Sequence, residues 1–210
     1  MLGKSSVVTG YSLGSGGGGT VLARSGAITL IGENANASAD GLNIGGLTLG
    51  AKAGSGVTSS SSNITLKASQ FGLNNTTRFE TSGTVSVLPL DAANSFGSAQ
   101  SFNSYWSFAN TVSALTIGKS TNDTNLTILN STSIAGPINI YGGTIALNAG
   151  LTTTNTTTGD VNITATGLTG TGGIGLATGR GLSITQSGNS SYGGVVSGSS
   201  ATLTKAGARA

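Results

Sequence analysis

Thr144-Ile-Ala-Leu147, Val161-Asn-Ile-Thr164, Leu182-Ser-Ile-Thr185 and Ala201-Thr-Leu-Thr204 are the segments that decide how this chain folds. In each, aliphatic side chains alternate with Thr, Ser, Asn or Ala. A period of two sends one set of side chains to a buried face and the other to water, the mark of a β-strand. Side chains branched at Cβ fit the pleat and dominate these segments. Their starts lie 17, 21 and 19 residues apart. Steps near twenty that hold several short strands each are the spacing of a solenoid. A hairpin sandwich would instead show two-residue Asn-Gly or Asp-Gly turns, and Asp40-Gly41 is the only such pair.

The same alternation recurs upstream, in Ala27–Ile31, Leu42–Ile44, Leu47–Leu49, Asn63–Lys67, Thr84–Leu88, Ala114–Ile117, Asn125–Leu129 and Ile138–Ile140. No window carries the i, i+3, i+4, i+7 apolar spacing of a helix. The expected fold is all-β: a right-handed parallel β-helix of roughly ten coils of about twenty residues, stacked into a rod roughly 50 Å long. Residues 1–210 form a single continuous segment, with an aromatic-rich excursion near 91–111. The inward positions are expected to include Ile64, Leu66, Ile138, Ile140, Ile145, Leu147, Val161, Ile163, Leu182, Ile184 and Leu203.

Composition narrows the function. Charged residues make up 7% of the 210, against roughly 25% in an ordinary globular domain. Glycine is 36 of 210, and Ser, Thr and Asn fill much of the rest. Such a composition also suits a flexible chain. The ordered alternation and the 36% hydrophobic content argue for a core instead. The nine basic residues, Lys4 to Arg209, are scattered with no two adjacent. No stripe exists to follow a phosphate backbone. The absence of Cys excludes disulfides and thiolate metal sites. No apolar run approaches the roughly 18 residues of a membrane helix. Met1-Leu-Gly-Lys-Ser-Ser6 does not read as a signal peptide, so export implies that the chain is an internal piece of something longer.

Catalytic equipment is sparse. Histidine is absent, which removes the usual general base and metal ligand. Of the six acids, Glu33, Asp40, Glu80, Asp91, Asp123 and Asp160, only Glu33 and Asp40 lie within ten residues of each other. No catalytic, metal or cofactor-binding residue is assigned, and no enzyme is expected. Gly14–Gly19 matches G-x-G-x-x-G in spacing but has no helix after it, and reads as a turn or linker. Thr171–Ala177 approaches a calcium-binding nonapeptide but lacks its aspartate. Ten Asn-x-Ser/Thr sequons in a chain this rich in those residues mark no particular site. The remaining candidate is aromatic. Phe96, Phe102, Tyr105, Trp106 and Phe108 are five of the ten aromatics. Phe102, Tyr105, Trp106 and Phe108 are candidates for stacking on a ligand. The competing and favoured reading packs them onto the core, since aromatics carry large buried areas.

Tyr192, Gly194, Val196, Gly198, Leu203, Thr204, Lys205 and Gly207 follow the order of the glycine-rich strand repeat of bacterial autotransporter passengers, which this stretch resembles. Gly136, Pro137, Tyr141, Gly142 and Ile145 are similar to coils of the filamentous-haemagglutinin family, adhesins exported by two-partner secretion. Both resemblances imply a β-helix shaft of a large secreted or surface-exposed adhesin, extracellular or on the bacterial surface. They also imply an outer-membrane translocator barrel as export partner, and a cell-surface glycan or protein as receptor. Two other functions fit a β-solenoid: ice binding, for which Thr164-Ala-Thr166 and Thr169-Gly-Thr171 are the candidate rows, and polysaccharide-active catalysis.

Overall fold

A computed structural model of the chain describes residues 2–5, 11–12, 19–23, 26–34, 40–52, 54–57 and 60–207. Most of the Gly14–Gly19 run and Arg209 lie outside the described residues. All regular structure among the described residues is β-strand.

The strands follow one another in triplets. The first is β1 (Leu2–Ser5), β2 (Tyr11–Ser12) and β3 (Gly19–Val21). The second is β4 (Ile28–Asn34), β5 (Leu42–Asn43) and β6 (Leu47–Gly50). Then come β7 (Ile64–Ala68), β8 (Phe71–Gly72) and β9 (Thr77–Glu80), and β10 (Thr84–Leu88), β11 (Gln100–Phe102) and β12 (Trp106–Phe108). The fifth triplet is β13 (Ala114–Ile117), β14 (Leu126–Ile128) and β15 (Thr132–Ile134). In the sixth and seventh the first two members fuse, giving β16 (Ile138–Leu147) with β17 (Leu151–Thr153), and β18 (Val161–Gly170) with β19 (Ile174–Gly175). The eighth is β20 (Gly181–Gln186), β21 (Ser191–Tyr192) and β22 (Val196–Ser197), followed by β23 (Thr202–Gly207).

Members pair, in parallel, with the same member of the next triplet, except that β8 does not pair with β11 nor β12 with β15. First members form the path β1-β4-β7-β10-β13-β16-β18-β20-β23 through a twelve-stranded sheet, which also takes in the later second members. The early second members form β2-β5-β8, and the third members form β3-β6-β9-β12 and β15-β17-β19-β22. The path holds nine first members, and its early steps are long. Ile28 pairs with Ile64 and Val85 with Leu115, whereas Val161 pairs with Leu182 and Leu182 with Leu203.

Register follows alternation. One inward row reads Ile28, Ile64, Val85, Leu115, Ile138, Val161, Leu182 and Leu203. A second reads Leu30, Leu66, Val87, Ile117, Ile140, Ile163, Ile184 and Lys205. Every expected inward residue from Ile64 to Leu182 is buried in one core. Ile184 is half-buried and Leu203 is 64% exposed, although both stand in the inward rows. Among the described residues no strand covers the far edge of β23, so the inward face near it is open.

One register expectation also changes. Thr144 does not step to Val161. It pairs with Gly167, and Val161 pairs with Ile138. The reason is the Gly142-Gly143 corner inside β16, which carries two triplet members without a gap. A Cβ at Gly143 would lie 2.1 Å from the carbonyl oxygen of Asp123. Only glycine lets the backbone turn that close to the preceding triplet.

Two ladder breaks are bridged by side-chain amides. Between β8 and β11, Gln100 is buried and its Oε1 accepts from the Phe71 amide at 3.1 Å. Between β12 and β15, Asn130 Nδ2 donates to the Trp106 carbonyl at 2.8 Å. A buried backbone group left without a partner is costly, so polar side chains replace the missing strand contacts.

Candidate functional site

The aromatics near the first break are core residues. Phe96, Phe102 and Trp106 are each 3% exposed, and Phe108 packs against the same core. Trp106 stacks on Phe79 with centroids 5.8 Å apart, tilts against Phe102 at 4.8 Å and meets Phe71 edge-on at 5.7 Å. Phe79 also stacks on Phe108 at 4.9 Å. Of the four candidate ligand contacts, Phe102 and Trp106 therefore present no face to solvent, and Phe108 is half-buried. Tyr105, 37% exposed, is the one left on the surface. Phe71 and Phe79 complete the cluster from the preceding triplet. Sequence proximity did not link them, and the pairing of Phe79 with Phe108 is what brings them in.

The excursion has a second effect, on the loop that follows β13. Its residues 94–96 lie beside residues 121–124. Thr121 Oγ1 donates to the Asn94 carbonyl at 2.9 Å and Thr124 Oγ1 to the Phe96 carbonyl at 2.7 Å. The Asp123 amide donates to Ser95 Oγ at 3.0 Å, and the Ser95 hydroxyl donates back to Asp123 Oδ1. Asn122 is buried and joins three triplets: Oδ1 accepts from the Phe96 amide at 3.2 Å, and Nδ2 donates to the Tyr141 carbonyl at 2.7 Å. At the start of the excursion, Asp91 accepts two bonds from the Lys67 ammonium, at 2.7 and 2.8 Å. Phe96, seated in the core, anchors the whole excursion.

The loop held this way walls a groove of about 260 Å³. Ser120 to Asp123 form one side, Gly142 and Ala165 lie between, and Thr185, Gln186 and Ser187 form the other, with Thr164 and Thr166 also lining it. Gly142 pairs with Ala165 and Ala165 with Gln186, so two small residues precede a large one in a single row. Gln186 is buried and donates to Ser190 Oγ. Among the described residues, Asp123 is the only charged one in the lining.

The threonine rows proposed for ice binding fall on separate ladders. Thr164 pairs with Tyr141 and Thr185, whereas Thr169 pairs with Ala146 and Ser191. Among the described residues, no three His, Cys, Asp or Glu side chains gather as a metal site. Comparison with protein-family models, curated proteins and solved structures found no match to this chain.

Proposed function

We propose that this chain is a structural shaft segment of a large bacterial adhesin, secreted or exposed at the cell surface. The ladders are read as a right-handed parallel β-solenoid in which each triplet is one three-sided rung. Parallel crossovers in a sheet are right-handed almost without exception, which sets the hand. The observation that carries the reading is the pair of inward rows, which stay aliphatic from β4 to β20 across repeats of unequal length. A rung alone buries nothing, so stability accumulates by stacking and the product is an extended support.

The tyrosine-glycine pair of the autotransporter-like repeat has a physical role here that supports the resemblance. Tyr192 donates its hydroxyl to the Gly172 carbonyl, and a Cβ at Gly194 would strike that same hydroxyl. Aromatic and glycine thus close one corner together. On this reading an outer-membrane translocator barrel exports the protein, and a cell-surface glycan or protein is its receptor. Protease shaving of intact source cells tests the location. Release of peptides from this chain before lysis is the expected result, and their recovery only after lysis would contradict it.

A further inference from the structure

We propose that the groove between Asp123 and Ser187 binds a short stretch of neutral glycan. The assignment rests on the stacked-rung reading and adds a ligand class to it. The two walls belong to the fifth and eighth rungs, three strand spacings apart, or roughly 14 Å along the shaft. Between them lie Gly142 and Ala165. An elongated ligand lying parallel to the shaft fits this outline.

The polar groups select its chemistry. The hydroxyls of Thr164, Thr166, Thr185 and Ser187 form no hydrogen bond with the described residues, so each offers a donor and an acceptor. Asp123 keeps Oδ1 on Ser95 and carries no bond at Oδ2 among the described residues. A carboxylate oxygen on one wall and four hydroxyls elsewhere in the lining offer the donors and acceptors that a polyol needs. A calcium ion needs six to eight oxygen ligands, several of them charged, and one carboxylate does not supply them. Among the described residues no Lys or Arg lines the groove, so a sialylated or sulfated glycan would meet Asp123 without a counter-charge. The wall is also pre-organised: Ser95, Asn94 and Phe96 hold residues 121–124 before any ligand arrives. The aromatic excursion therefore serves binding by positioning Asp123, with Phe96 seated in the core.

The test is amide chemical-shift mapping of the whole chain with lactose, diacetylchitobiose and sialyllactose. At least one neutral sugar is expected to shift Gly142, Gly143, Ala165 and Asp123, with sialyllactose weaker than lactose. Asp123→Asn, at an exposed position, should weaken binding about tenfold or more. No shifts with any sugar at millimolar concentration, shifts confined to other faces, tighter binding of sialyllactose, or full affinity in Asp123→Asn would each overturn the proposal. Should Asp123→Asn disturb the loop, Thr166→Val decides in its place: weakened binding supports the groove and unchanged binding removes it. A parent spectrum without β dispersion would overturn the stacked rungs themselves. A dispersed spectrum indifferent to every sugar would overturn the groove alone.

Discussion

Ile145 shows how a single side chain carries this fold. It is fully buried, pairs with Leu126 on one side and Leu168 on the other, and has no water to turn to. Ile145→Asp places a charge among these aliphatics and should cost at least about 3 kcal/mol, read as a lowered midpoint in denaturant. Trp106→Ala should cost about 3–5 kcal/mol through the cavity it leaves against Phe79 and Phe102. A glycan-contact role alone would leave the melting temperature of that variant unchanged. Tyr192 adds a pH-dependent contribution. Burial raises its phenol above the usual tyrosine range. The stabilisation is present below that range and is lost as pH rises through the raised value, because the phenolate cannot donate to Gly172. Above about pH 10 the parent should lose stability faster than Tyr192→Phe, and parallel melting curves for the two would contradict this.

Individual strands here are too short to be stable alone, and β8 and β11 do not pair directly. Gln100 bridges that break, so Gln100→Leu leaves the Phe71 amide without its acceptor. The expected cost is about 1–3 kcal/mol, measured by denaturant midpoint, with hydrogen exchange rising first at Phe71. Slow exchange at Phe71 in the variant would show that another group satisfies it. The strands themselves were legible in the sequence because alternation alone specifies which face is buried. Their register was less so. Thr144 and Val161 both start apolar runs, but nothing in composition says that Gly142-Gly143 is a corner within β16 rather than a gap between strands. Aromatic packing was half legible: clustering near Phe102 and Trp106 was visible, and the partners Phe71 and Phe79 were hidden by pairing distance. The groove was not legible at all. It gathers residues from Ser120 to Ser187 that lie far apart in the sequence.

At the scale of the molecule, the stacked-rung reading has each triplet add one strand spacing whatever its length in residues. Thr65, Asn162, Ser183 and Thr204 occupy one outward row, and Asn162 Nδ2 bonds Asn139 Oδ1 within it at 2.9 Å. The chain has no native cysteine, so pairs of spin labels are placed without background. Dipolar electron resonance between a label at Thr65 and one at Asn162, Ser183 or Thr204 tests the stack directly. The backbone spacings are four, five and six rungs, or about 19, 24 and 29 Å. Narrow distributions that lengthen by one strand spacing per rung are the predicted result. Broad distributions, or distances that fail to rise in that order, would contradict the stacked solenoid and the shaft built on it.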